Sequence, residues 1–219
     1  MLLTDTGGSD FEPAPSGNHV ARCVQLIDLG TTEQDYFGEL SMKHQLFIMW
    51  ELPHKTKTYK VDDQEVTEPF TASAFYTASL NEKANLRGLL ESWRGKAFTE
   101  KECAGFNPKV LVGVPCMLNI IHKPNTKGVI KAKIAGATPL PEGFECPPQV
   151  HDSVNFSLTD FDQTIFDNLS KGLKAMVEKS EEYKSMQNPK VEGENPAPQE
   201  TKQSIEDASA DDGFDDIPF

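Results

Sequence analysis

Through the middle of the chain, apolar and polar residues alternate with a period of two, the spacing of a strand with one buried face. The clearest run is Gly38–Pro53, GELSMKHQLFIMWELP. Leu40, Met42, Leu46, Ile48, Trp50 and Leu52 share one parity, and Glu39, Ser41, Lys43, Gln45, Phe47, Met49 and Glu51 share the other. Only the first set is consistently apolar, so it is expected to face the core. His19–Gly30 and Phe70–Ser79 read as the flanking strands, with residues 54–70 a polar connection. Asn81–Arg94 then switches to helical spacing, with Ala84, Leu86, Leu89, Leu90 and Trp93 on one stripe and Ser79 or Asn81 available as N-cap. The pattern Thr99-Glu-Lys-Glu102 predicts one further turn of helix. Val114–His122 and Gly128–Thr138, joined by KPNTK, complete the pattern as a hairpin. Cys116, Leu118 and Ile120 face one way in the first of these strands. In the second, Ile130, Ala132 and Ile134 oppose Val129, Lys131 and Lys133.

Three strands, a helix and two strands is the element order of an OB-fold, a five-stranded partly open barrel with a helix between strands three and four. Other small barrels and α+β sandwiches share parts of this pattern. The expected organisation is a flexible arm over residues 1–18, the barrel over 19–148, a linker carrying an amphipathic helix over 149–187, and a tail over 188–219. Phe161, Ile165, Leu169, Leu173, Met176 and Val177 form the stripe of that helix within 159–186. It is expected to pack on the barrel or on a second copy of the chain. Beyond Gln187 the composition is rich in Pro, Glu, Gln, Asn, Ser and Asp, with almost no large apolar residue before the final few. Such a segment buries too little apolar surface to offset its ordering entropy and is expected to be disordered.

Charge sharpens the division. Residues 1–148 hold 15 Lys+Arg against 18 Asp+Glu, whereas residues 149–219 hold 6 against 16, so the C-terminal third carries most of the net −13. The hydrophobic fraction of 37% lies below the ~45–50% usual for globular chains, an average that also counts Gly as apolar, so part of the chain is expected not to fold. No stretch approaches the ~20 apolar residues of a membrane span. The opening residues lack the basic and apolar regions of a signal peptide. Cys23, Cys103, Cys116 and Cys146 are widely spaced and read as small buried hydrophobes, in keeping with a reducing cytoplasm. No nucleotide-binding glycine loop, zinc-protease motif or nucleophile elbow is present, and the five histidines show no ligand spacing. No enzymatic activity, cofactor or metal is expected.

The last nine residues, DDGFDDIPF, break the rule of the tail. Phe214, Ile217 and Phe219 arrive together, Pro218 stiffens the end, and Asp211, Asp212, Asp215 and Asp216 surround them. This is a docking peptide: an aromatic end for an apolar pocket, and carboxylates for a basic rim. Asp215, Asp216, Ile217, Pro218 and Phe219 are its candidate contacts.

The ending D-D-I-P-F resembles the acidic tip of bacterial single-stranded DNA-binding proteins, which docks replication, recombination and repair enzymes. The segment from Tyr76 to Lys123, with S-L-x-x-K-A-x-L-R, W-R-G and F-x-x-x-E before a final hairpin, is similar to a bacteriophage family of single-stranded DNA-binding proteins. That resemblance spans roughly residues 17–142. It implies an OB-fold that holds single-stranded DNA in the bacterial host cytoplasm while the tail recruits host proteins. The rival reading is a protein-only adaptor or recombination mediator with a borrowed tail.

Single strands are held by cations tracking phosphates and aromatic faces under bases. Phe47 and Lys43 share the outer parity of the second strand, where Phe47 either stacks or is partly buried. Lys131 and Lys133 share the outer face of the fifth strand, Lys123 and Lys127 flank its hairpin, and Arg22 lies in the first strand. Tyr36 and Phe37 are stackers or a plug for the barrel mouth. Lys55, Lys57 and Tyr59, with Lys60, form a backbone-gripping or merely solvated loop. Of Phe75 and Tyr76 one points in and the other out, and Tyr76 is retained as a DNA-binding candidate. Trp50 and Trp93 belong to the core. The body's net charge of −3 opposes a nucleic-acid role unless its charges are segregated in space.

Overall fold

The alternation of residues 38–53 becomes the centre of a mainly β molecule. A computed structural model describes residues 12–36, 38–62, 64–125 and 127–188, Tyr36 by its backbone alone. The strands are β1 (Gly17–Tyr36), β2 (Glu39–Val61), β3 (Gln64–Thr77), β4 (Pro115–Pro124), β5 (Ile130–Thr138) and β6 (Val154–Phe156). Helices α1 (Asn85–Arg94) and α2 (Glu100–Gly105) and a 3₁₀ turn (Pro108–Leu111) separate β3 from β4. Three short helices, α3 (Gln163–Asn168), α4 (Lys171–Val177) and α5 (Glu181–Gln187), follow β6. The sheet order is β3-β2-β1-β4-β5 with antiparallel neighbours, and β6 adds to β1 in parallel. The edge strands β3 and β5 also approach one another, and α1 contacts both.

The inward parity of β2 delivers Leu46, Ile48, Trp50 and Leu52 to a first core with Leu86, Leu89, Leu90, Trp93, Leu118 and Ile120. Trp50 and Trp93 meet there with ring centroids 5.7 Å apart. Leu40 and Met42 depart from expectation: at 63% and 54% exposed, they lie on a ribbon beyond the core. Cys23 and Cys116 are buried free thiols, and burial pushes the Cys23 thiol up to about 12.

Several boundaries differ from the sequence pattern. Residues 54–70 are a hairpin, not a connection: β2 runs on to Val61, the chain turns at Asp62 (φ 48°), and β3 returns from Gln64. Solvated cross-strand pairs hold this ribbon, including the Thr58 and Thr67 hydroxyls at 2.8 Å and Lys57–Glu68 at 3.3 Å. Hydrophobic alternation cannot register such pairs. At the other end, residues 12–18 are not wholly a loose arm. Ala14 is buried in the first core, and the His122 ring donates to its carbonyl (2.8 Å). The N-cap of α1 is Ala84, without a side-chain cap, while Ser79 and Asn81 accept bonds in the preceding turns. The capping box of Thr99 and Glu102 forms as its spacing predicts, and the Arg94 guanidinium helps hold the Glu102 carboxyl at about 2.

The largest departure is on the opposite face of the sheet. Instead of one helix, residues 159–186 form three, each restarted by a side-chain cap: Asp162, Ser170 and Ser180. Their apolar residues, with Phe156 and Leu158, make a second core against Ile27, Leu29 and Phe47. The helical stripe therefore packs on the sheet, not on a second copy. Met176 alone of that stripe stays largely exposed, at 42%.

Two polar clamps fasten this covering. Glu51, wholly buried, accepts from the Val150 amide (3.1 Å) and from the His151 amide and ring (2.8 and 2.5 Å). Burial would raise its carboxyl, but these donors outweigh burial and hold it below the ordinary value. At the far end Glu182 accepts from the Thr31 amide (2.7 Å) and hydroxyl (2.6 Å). His44 bridges the same junction, 2.6 Å from Asp28 and 3.7 Å from Glu182.

This second clamp predicts a pH dependence. The hydrogen bond that His44 donates to Asp28 raises it above its ordinary value, against the opposing effect of burial. For Asp28 and Glu182 burial is outweighed by hydrogen bonds, and both titrate below the ordinary range. The His44 contribution is thus complete below about pH 6.5 and is lost as pH rises through its raised value. The carboxylate contributions are lost as pH falls below about 4. Hydrogen-exchange protection of the α5 amides should drop up to about fivefold between roughly pH 6 and 8.5, since so exposed an imidazole contributes no more than about 1 kcal/mol. His44→Gln should abolish the drop, and an unchanged pH profile in that variant would exclude His44 as its source.

Candidate nucleic-acid interface

The β4–β5 hairpin carries a run of lysines with no acidic residue among them. From Cys103 to Pro141 the sequence holds five lysines and no acidic residue, within a protein of net charge −13. Four of the five belong to this hairpin. Lys123 sits directly across from Lys131, Lys133 lies opposite Ile121, and Lys127 occupies the turn. All four side chains are exposed, while Ala132 and Ile134 turn to the first core, as the alternation predicts. Like charges directly opposite destabilise a hairpin, and an opposed Glu or Asp would serve stability better. A ladder of lysines is chemically suited to a polyanion.

The second element is the outer face of β2 and β3. Phe47 has the predicted outer parity, yet it is only 8% exposed because the second core covers it. Its expected role as a freely stacking aromatic is corrected by that burial. Its register partner Phe75 is the open aromatic, 48% exposed with its ring centroid 5.2 Å from that of Phe47. Tyr76 points the other way and packs on the first core, where burial pushes its hydroxyl up to about 12. Phe75 is thus the outward member of the pair, and Tyr76, expected as a DNA contact, turns its ring to the core instead. Beside Phe47 a groove of about 890 Å³ opens between Gln25 and Met49 on the sheet and Ile165, Asn168 and Leu169 on the covering helices.

Other candidates are spoken for or lie elsewhere. Arg22 donates to the carbonyls of Gly113 (2.8 Å), Cys146 (3.2 Å) and Pro147 (3.1 Å), so it clamps two loops instead of reaching for a ligand. Lys57 pairs with Glu68 and stands 5.4 Å from the Tyr59 ring centroid. Glu68 also accepts from the Tyr59 hydroxyl, raising it above its ordinary value. Lys55 and Tyr59 are exposed on this ribbon, whose lysines are matched by Glu65 and Glu68 across the strand pair. Lys43 is half-buried on β2, away from the lysine hairpin, opposite Thr32. Tyr36 ends β1, but its side chain, Phe37 and the tip residues Asp215, Asp216, Ile217, Pro218 and Phe219 lie outside the described residues.

Among the described residues no cluster of His, Cys, Asp or Glu is arranged to hold a metal ion, and no helix is long and apolar enough to cross a membrane. Compared with protein families, with curated proteins and with solved structures, the chain finds no match.

Proposed function

We propose that the protein binds single-stranded DNA without strong sequence preference and recruits other proteins through its acidic tip. The observation that carries this reading is the acid-free lysine ladder of β4–β5 in an otherwise acidic chain. It answers the objection raised by net charge, because only local charge meets the phosphates. Phe75 supplies an exposed ring on a sheet face, the kind of platform on which bases stack. The strand order, the approach of β3 to β5 and the helix between β3 and β4 support an OB-type barrel. On this reading the protein belongs with bacteriophage single-stranded DNA-binding proteins and acts in replication and recombination in a bacterial host. Residues Asp215–Phe219 then dock host replication, recombination and repair proteins. The adaptor reading draws on one observation, the burial of Phe47 beneath the C-terminal segment.

Fluorescence anisotropy of labelled oligo-dT separates the two. Trp50 and Trp93 are too deeply buried to report a ligand by quenching. DNA binding predicts a signal that grows with strand length and weakens with salt, and Phe75→Ala should weaken it about tenfold, the loss of one stacked base. Tyr76→Phe should leave it unchanged. Absence of binding at micromolar protein would leave the adaptor.

A further inference from the structure

Among the described residues, β2 has an open edge whose sequence is complementary to itself. β1 and β2 pair from Tyr36↔Glu39 down to Thr32↔Lys43 as a two-stranded ribbon. β3 joins β2 only from Gln45, and the final backbone bond on that side runs from the Ala78 amide to the His44 carbonyl (2.8 Å). Among the described residues no strand lies against Glu39–Lys43 on that edge. The His44 carbonyl points to this side. By the two-residue period of a strand, the backbone groups of Met42 and Leu40 point there too. The same two residues carry the 54% and 63% exposed side chains that the core leaves out.

We infer that this edge pairs antiparallel with the same edge of a second copy, about a two-fold axis at Ser41. The five residues read Glu-Leu-Ser-Met-Lys. Centred on Ser41, the pairing sets Leu40 against Met42 of the other copy on one face. It sets Glu39 against Lys43 of the other copy, twice, on the opposite face. Ser41 meets itself at a non-hydrogen-bonded position, where the backbones come closest and a small side chain fits best. Leu40 and Met42 exchange the backbone bonds. Centring on Leu40 or Met42 satisfies the same backbone alternation but sets neither Glu39 nor Lys43 directly across from an opposite charge. An isologous contact of this kind is self-limiting, because the two-fold closes it. Its short span puts it among weak, transient interfaces. The apolar stripe of α3–α5, the other feature suited to self-association, is consumed by the second core.

Sedimentation equilibrium of the full chain over about 5–300 μM tests this without DNA. The expected result is a monomer–dimer equilibrium. Met42→Pro removes an outward amide from an exposed edge position and should raise the dissociation constant at least tenfold while circular dichroism stays unchanged. Glu39→Lys and Lys43→Glu should each be monomeric alone, and an equimolar mixture of the two should restore the dimer. A wild-type chain that is monomeric throughout overturns the inference. So does a dimer that survives Met42→Pro, or a mixture that fails to associate although both variants are folded.

Discussion

Replacing Lys123, Lys127, Lys131 and Lys133 together by glutamine is expected to weaken oligo-dT binding about 100-fold at moderate salt, a loss of about 2.7 kcal/mol. The side chains keep nearly their length and hydrogen-bonding capacity, so the effect isolates charge. All four are exposed on one hairpin, in a stretch from Cys103 to Pro141 whose sequence contains no acidic residue. Each phosphate contact on a single strand contributes about 0.7 to the slope of log affinity against log salt. The slope should therefore become shallower by about 3. The fold should not suffer, because relieving the opposition of Lys123 and Lys131 removes a repulsion. Anisotropy titrations at several salt concentrations give both numbers. An unchanged slope would move the phosphate path off this hairpin, whatever the change in affinity.

Gly30→Ala is expected to cost about 3 kcal/mol of stability, the largest effect of a single substitution predicted for this chain. Gly30 has φ +70°, in the left-handed region that β-carbons disfavour. A β-carbon there would lie 2.5 Å from Ser180 Cβ and 2.7 Å from both Leu158 Cδ1 and Glu182 Oε2. Backbone strain contributes about 1–2 kcal/mol and overpacking about 1–3 kcal/mol. The glutamate can swing away, but that breaks its bonds to Thr31. The damage should be directional, loosening α5 and the second core before the first. Urea unfolding followed by circular dichroism measures the total, and limited proteolysis near residues 178–188 measures the local part. A loss below about 1 kcal/mol with unchanged proteolysis would show that the C-terminal segment is not seated on β1 as described.

Much of the first core is legible in the sequence because one physical rule governs it. Leu46, Ile48, Trp50 and Leu52 on β2, the α1 stripe and the inward residues of β4 each repeat at the period of their own element, so local pattern and tertiary burial agree. The rule fails at Leu40 and Met42, where the alternation outruns the neighbouring strand β3 and nothing among the described residues remains for these side chains to cover. It fails again at residues 54–70, where threonine and ion pairs across two strands hold a ribbon that has no apolar face. Of the candidate interface, the lysines of the final hairpin were legible because charge and exposed parity coincide in them. Phe47 was not, since its parity places it on a face and only a distant segment decides whether that face is wet.

The sequence by itself determined the mainly β class, the helix after the third strand, the lysine hairpin and the acidic, aromatic-tipped ending. All of these rest on composition or on spacing within a few residues. Only the tertiary structure decided that Val154–Val177 would lie across the outer face of β1 and β2. It turned Phe47 into core and Phe75 into the open ring, turned Arg22 to loop carbonyls and, among the described residues, left the edge of Glu39–Lys43 that faces away from β1 with no strand beside it. Those outcomes depend on contacts between residues far apart along the chain, such as Thr31 with Glu182 and Glu51 with His151. No local period encodes such contacts, because their energy exists only once the sheet has formed a surface to receive them.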